Sequence, residues 1–166
     1  MADNKSGNNI YVSGSGNTLA SVTADIADNA FIEKTGVAPD IYTLKGNVAR
    51  YLYVRPGGTL TIGDPADYSK NETLQFDQSV TNNNRLYVNA GGTLLQYGDT
   101  TIDFCSNANP AMNAYYSYLY GKISVLGNDT FQPVWKNYNR FYFYEQTNAD
   151  TYPDDIWTFY KMKFGS

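Results

Sequence analysis

The sequence predicts an all-β chain, a single-stranded right-handed parallel β-helix of about four coils, and three observations carry that expectation. Four copies of an aliphatic residue followed by Tyr, Ile10-Tyr11, Leu52-Tyr53, Leu86-Tyr87 and Leu119-Tyr120, lie at steps of 42, 34 and 33 residues. The middle copies extend into a longer match, Leu52-Tyr53-Val54-Arg55-Pro56-Gly57-Gly58-Thr59-Leu60 against Leu86-Tyr87-Val88-Asn89-Ala90-Gly91-Gly92-Thr93-Leu94, at a constant offset of 34. Around each copy, apolar and polar residues alternate with the period of a strand, and glycine pairs punctuate the pattern. Units so alike bury their inward faces most simply by stacking, each strand pairing in parallel with its equivalent ~4.8 Å above. An antiparallel β-sandwich or jelly roll is the alternative, since it too is built from short strands between turn signals. Such folds do not require matching units at a fixed offset.

In chain order, residues 1–9 are polar and read as a flexible arm. The first coil opens at Ile10-Tyr11-Val12 and runs on through Ser13-Gly14-Ser15-Gly16-Asn17-Thr18-Leu19, which fits the middle copies with one extra residue. Over residues 18–30, Leu19, Val22 and Ile26 recur at helical spacing with Asp25 and Asp28 opposite. This predicts a short amphipathic helix covering the open edge of the first coil. Each later unit reads strand, glycine turn, strand, glycine turn, strand. Leu52 and Val54, then Leu60 and Ile62, fall on a buried face, while Tyr53, Thr59 and Thr61 point outward. The paired glycines supply the positive φ of a sharp corner. A third strand follows in Glu72-Thr73-Leu74-Gln75-Phe76 and, one unit later, in Thr101-Ile102-Asp103-Phe104. The fourth unit is degenerate, with Gly121-Lys122-Ile123 in place of Gly-Thr-Leu, yet Gly98 and Gly127 align at the same offset of 29 as Gly92 and Gly121.

The β-helix domain is therefore expected over residues 10–132. From 133 to 166 the repeat breaks off, and this stretch reads as an aromatic cap or docking segment. Residues 131–166 hold 12 of the 26 aromatics. Arg140-Phe141-Tyr142-Phe143-Tyr144 and Ile156-Trp157-Thr158-Phe159-Tyr160 carry rings on both faces of a strand. Both faces then need cover, from the tail folding back or from a second subunit.

Composition bounds function mainly by exclusion. At 166 residues the chain suits one domain. Twelve basic residues against 16 acidic ones give a net charge of −4, which offers a phosphate backbone little attraction, so no nucleic-acid partner is expected. Histidine is absent, which removes Ser-His-Asp and Cys-His nucleophile systems and every histidine-ligated metal site. No stretch reaches the roughly 18–20 apolar residues of a membrane span. Residues 1–9 lack the apolar run of an export signal, so synthesis in the cytoplasm is expected. The single cysteine, Cys105, shares a strand face with Asp103 opposite Phe104 and reads as a small half-buried thiol.

Gly14-Ser15-Gly16-Asn17-Thr18-Leu19-Ala20-Ser21-Val22, the Gly-Gly-Thr-Leu turns and Asn71-Glu72-Thr73-Leu74-Gln75-Phe76 resemble β-helix segments of large microbial surface proteins and pectin-lyase-like chains. The resemblance spans roughly residues 8–132 and implies a fold without a chemistry. Polysaccharide enzymes of this architecture cluster acids, and lyases place a basic residue beside calcium. Asp64, Asp99 and Asp129, with Arg50, Arg55, Arg85 and Lys122, are the residues such a reading would use. Asp and Asn after Gly are ordinary turn residues, and the spacing of an EF-hand or a phosphate loop is missing, so no metal, cofactor or catalytic residue is expected.

The outward tyrosines Tyr11, Tyr53, Tyr87 and Tyr120 form a ladder that either braces the sheet or docks a ligand. Tyr53, Tyr87, Tyr120, Tyr142, Tyr144, Trp157 and Tyr160 are the candidate binding residues. The expectation is a non-enzymatic structural or attachment protein working on a virion or extracellular surface. A capsid decoration, head fibre or tail appendage subunit would suit, joined by self-association or to a larger protein assembly. A surface adhesin or carbohydrate-binding β-helix module that takes glycans is the first alternative. A small polysaccharide lyase or glycosidase is the second.

Overall fold

A computed structural model describes residues 50–76, 84–105, 116–138, 140–144, 151–152 and 155–165, and before residue 50 the strand backbones at 3–6, 9–12, 17–18, 29–32, 35–37 and 41–43. These residues wind into a parallel β-helix of three sheets. Its strands, in chain order, are β1 (Asp3–Ser6), β2 (Asn9–Val12) and β3 (Asn17–Thr18) in the first rung. The second holds β4 (Asn29–Ile32), β5 (Thr35–Val37) and β6 (Ile41–Thr43), and the third β7 (Arg50–Val54), β8 (Thr59–Ile62) and β9 (Glu72–Gln75). The fourth has β10 (Asn84–Val88), β11 (Thr93–Tyr97) and β12 (Thr100–Asp103), and the fifth β13 (Tyr116–Leu119), β14 (Lys122–Leu126) and β15 (Val134–Lys136). The sixth is β16 (Arg140–Phe143), β17 (Trp157–Tyr160) and β18 (Lys163–Gly165). One sheet runs β1-β2-β4-β7-β10-β13-β16, the second β3-β5-β8-β11-β14-β17 and the third β6-β9-β12-β15-β18.

Every pairing between rungs is parallel. The offset of 34 is realised as Leu52 beside Leu86, Tyr53 beside Tyr87 and Leu60 beside Leu94. The antiparallel sandwich is thereby excluded. The offset of 29 is equally real, since Thr93 pairs with Lys122 and Leu94 with Ile123.

Four expectations change. The described residues show six rungs rather than about four, because Asn29-Ala30-Phe31-Ile32 forms a rung between the first two Tyr copies with Phe31 in the Tyr position. Residues beyond 132 continue the coil, with Val134–Lys136 completing the fifth rung and β16, β17 and β18 building the sixth. The arm expected at 1–9 contains β1, which pairs antiparallel with β2. Of the helix expected at 18–30, Thr18 lies in β3 and Asn29-Ala30 in β4, and residues 19–28 lie outside the described residues.

Alternation fixes the interior. Leu52, Val54, Leu60, Ile62, Leu74, Leu86, Val88, Leu94, Ile102, Ile123 and Val125 are all sealed from solvent, while Tyr53, Thr59 and Thr61 face out and are half-buried. Truncating one such Leu to Ala would cost about 2–5 kcal/mol. In the corner between the first and second sheets, Gly57 and Gly91 sit at φ 77° and 79°, where a side chain is strained. Their neighbour Gly92 is needed for space: a Cβ there would lie 2.5 Å from the carbonyl oxygen of Val54 one rung away.

The core holds one polar tie. Trp135 stands in the third-sheet column above Ile102 and Leu74, and its indole N–H needs an acceptor that an aliphatic neighbour could not give. Fully buried Gln96 supplies it: Trp135 Nε1 donates to Gln96 Oε1 at 2.6 Å, and Gln96 Nε2 donates to the Thr100 carbonyl at 3.3 Å. Replacing Gln96 with Leu keeps the volume and strands the indole N–H, so the variant is expected to unfold at lower urea, by about 1–3 kcal/mol. Adding Trp135→Phe should recover part of that loss, a comparison that equilibrium denaturation of the four proteins measures.

Candidate functional site

On the outer face of the first sheet the parallel register stacks tyrosine on tyrosine. Tyr53 and Tyr87 lie with ring centres 4.6 Å apart and planes 12° from parallel, and Tyr87 and Tyr118 at 5.3 Å and 12°. Tyr118 continues to Tyr142 at 5.9 Å. The spacing puts Leu119 over Leu86, with Tyr120 as the next ladder member. The structure instead pairs Leu119 with Val88 and Tyr118 with Tyr87. The reason is a corner two residues shorter between Leu119 and Lys122 than between Val88 and Thr93. Tyr120 belongs to a second column, flat on Tyr144 at 4.6 Å and 7°. Tyr116 and Tyr118, which sequence reasoning passes over, were signalled by the alternation Tyr116-Ser117-Tyr118-Leu119-Tyr120. Tyr116 meets Tyr142 edge-on at 4.5 Å and lies under the Arg140 guanidinium at 6.0 Å.

These contacts set the polarity of the wall. The hydrogen bond to Tyr116 raises the Tyr142 hydroxyl above the ordinary phenol range, and burial does the same for Tyr120. Both shifts favour the protonated phenol. Arg85 Nη1 donates to the Tyr87 hydroxyl at 3.1 Å. Beside this wall, an open cleft of about 590 Å³ is lined by Tyr53, Arg85, Tyr87, Asn89, Ala90, Tyr118 and Tyr120.

The other expected binding residues meet at the end of the rod. Phe143 stands over Leu119, Trp157 over Ile123, Phe159 over Val125 and Phe164 over Trp135. The inward aliphatics of earlier rungs thus become aromatic in the last one. Their rings meet edge to face, Phe143 with Trp157 at 5.1 Å and Trp135 with Phe159 at 5.8 Å. With no rung above them among the described residues they stay partly wet: Ile156 is 58% exposed, Tyr160 and Phe164 55% each, and Phe143, Phe159, Tyr142 and Tyr144 are exposed as well. Trp157 Nε1 is shielded from solvent with no hydrogen-bond partner. Strands β16, β17 and β18 are the outermost members of their sheets.

At the corners Asp64 and Asn128 brace the backbone. Asp64 Oδ1 accepts from the Ala66 N–H at 2.8 Å, and Asn128 Oδ1 from Thr130 and Phe131 at 2.9 and 2.7 Å. Gly63 and Gly98 turn there at φ 84° and 62°. Asp129 pairs with Lys161. Among the described residues no three acids or cysteines converge as a metal site would require.

One buried acid does form a network. Asp103 accepts from Cys105 N–H at 3.0 Å, Asn137 Nδ2 at 2.9 Å and Gln75 Nε2 at 3.3 Å, with Lys136 Nζ at 3.3 Å. Burial alone would raise its pKa, but the hydrogen bonds led by that from Asn137 outweigh burial and hold it below the usual carboxylate range. Cys105 turns at φ 49°, a left-handed conformation that the Asp103 hydrogen bond secures. Its thiol, first by burial and then by the Asp103 charge, is pushed up to about 12. It is more deeply buried than its sequence context suggests.

No known protein family, curated protein or solved structure matches this chain.

Two expectations follow from the Asp103 network. Because the folded pKa of Asp103 lies below its unfolded one, its stabilisation is present above the unfolded value and drains away as pH falls through the folded value. Asp103→Asn should therefore be less stable than the parent at neutral pH, with the gap in urea midpoints closing below about pH 4. Cys105, protonated and buried, should react with a disulfide reagent at pH 8 many-fold more slowly in the native protein than in urea, as absorbance of the released thiol would show.

Proposed function

We propose that the chain is a non-enzymatic structural attachment protein, a stiff β-helical rod that docks onto a larger protein assembly through its sixth rung. The observation that carries this is the state of that end: large apolar side chains are left 38–58% exposed beside three outermost strands. Soluble domains rarely leave such a patch or such edges uncovered unless something binds there. A docked strand or apolar face would complete the sheets and cover Phe143, Phe159 and Phe164.

The first-sheet end contrasts with this. There β1 runs against its neighbour, and its residues Asp3, Asn4, Lys5 and Ser6 are polar, both of which discourage further strand addition. A rod with one discouraged end and one receptive end suits a projection anchored at its base. The surface of a virion, as a capsid decoration, head fibre or tail appendage, is the setting these features fit best. The likeness of the glycine turns to those of microbial surface β-helices supports the same extracellular placement. The low charge and the absence of histidine support a role in assembly over catalysis.

Purified without its partner, the protein should associate with itself through the receptive end at concentrations on the order of tens of micromolar. Sedimentation velocity over a dilution series would show this as a concentration-dependent increase in mass. Ile156→Glu with Phe164→Glu should shift the association at least about tenfold to higher concentration while leaving the far-ultraviolet spectrum unchanged. A strictly monomeric parent protein, or association indifferent to both substitutions, would overturn the reading.

A further inference from the structure

Two tyrosines at the margin of the first sheet form a pair unlike the others. Tyr120 follows β13 and Tyr144 follows β16, and the register that pairs Leu119 with Phe143 brings them to equivalent positions on adjoining rungs. The Tyr144 N–H donates to the Leu119 carbonyl at 3.2 Å, which fixes the second residue beside the first. Their ring centres lie 4.6 Å apart and their planes 7° from parallel. The hydroxyl ends are neighbours as well: after the larger effect of burial, the closeness of Tyr144 is the next cause that raises the Tyr120 phenol.

Exposure singles this pair out. Among the described residues the exposed tyrosines are Tyr120, Tyr142, Tyr144 and Tyr160. Tyr142 shares a hydrogen bond with Tyr116 and meets Tyr144 at 6.0 Å with the planes 37° apart. Tyr160 lies in the second sheet. Tyr53, Tyr87 and Tyr118 are stacked but half-buried. Tyr120 and Tyr144, 37% and 39% exposed, are the pair that combines access for a diffusing oxidant with close, flat contact between two phenols. A bond between them would act at a weak point of the fold. The sixth rung is held on one side only among the described residues, and the end of a stack opens more readily than its middle. A link from residue 120 to residue 144 encloses β14, β15 and β16, so it restricts the unfolded chain and ties the last rung to its neighbour.

We propose that Tyr120 and Tyr144 are a site of oxidative cross-linking, joined by hydrogen peroxide and a haem peroxidase into a dityrosine that fastens the sixth rung to the fifth. Each phenol gives up one electron and its hydroxyl proton, and these reduce one molecule of peroxide to two of water. The two phenoxyl radicals then form a carbon–carbon bond between ring positions ortho to oxygen. The hydrogens on those two carbons move to the oxygens, which restores both phenols. The bond lies within one chain and does not rest on docking at the sixth rung.

The full chain, diluted below the concentration at which it associates with itself, is treated with a haem peroxidase and hydrogen peroxide. The intact mass should fall by two hydrogens, and dityrosine fluorescence should appear in a species that migrates as a single chain. Lys122, Lys136 and Arg140 lie between the two tyrosines, so trypsin leaves residues 120 and 144 together only when they are joined. The oxidised protein should unfold at higher urea than the untreated one. Tyr120→Phe and Tyr144→Phe keep the ring and its stacking but lack the hydroxyl, so each should lose the linked peptide while its far-ultraviolet spectrum is unchanged. Tyr142→Phe and Tyr160→Phe should retain it. Coupling that occurs only between chains or maps to other tyrosines, a link that survives Tyr144→Phe, or a urea midpoint that the link does not raise would overturn the proposal.

Discussion

The hydrogen-bonded pairing of each strand with its counterpart one rung away is the constraint on which the rest depends. Because the pairing is parallel and in register, like side chains recur directly over one another: Leu52 beside Leu86, Tyr53 beside Tyr87, Thr59 beside Thr93. An inward column rich in Leu, Val and Ile then excludes water through the third to fifth rungs, and each outward column becomes a repeated surface chemistry. Corners can vary provided the strands stay aligned. The shortening by two residues before Lys122 is absorbed between Leu119 and Lys122 without disturbing either flanking sheet.

The sixth rung shows how a stack of this kind closes. The fourth and fifth rungs pack buried side chains above and below, whereas the sixth has a neighbour on one side only among the described residues. Phe143, Trp157, Phe159 and Phe164 reach across the open bore, and edge-to-face contacts among them exclude more water than Leu or Val could. Closure is incomplete, because rings wide enough to span the bore present their far sides to solvent. The same substitution that seals the core therefore leaves apolar surface exposed at the sixth rung. Aromatics on both strand faces, puzzling for a lone tail, follow from this arrangement: the inward set plugs and the outward set, Tyr142 and Tyr144, extends the tyrosine columns.

Much of this was legible from residue spacing, and the failures are instructive. The third and fourth rungs share glycine pairs and Leu-Tyr-Val, so their register could be read directly. The second rung carries Phe31 where the others carry Tyr, and its corner lacks the Gly-Gly-Thr signature, which hid it between Tyr11 and Tyr53. In the fifth rung Tyr116, Tyr118 and Tyr120 all alternate with small or aliphatic residues, and spacing alone favours the wrong one, because a shortened corner leaves no trace in a constant offset. The cleft was not legible at all. It depends on which side chains the shortened corner before Lys122 brings beside the wall, and a constant offset does not reveal that register.

Stacks of near-identical rungs face a hazard that irregular folds escape: a strand that slips to the wrong neighbour finds almost the same company. Leu, Val and Ile columns discriminate poorly against such an error, since each step looks like the last. The buried hydrogen bond from the Trp135 indole to Gln96 is different, because no other described pair of rungs offers that donor and that acceptor together. A displaced winding would bury both groups without partners. This single contact thus acts as an address within a repetitive lattice, telling the folding chain which turn of the coil it has reached.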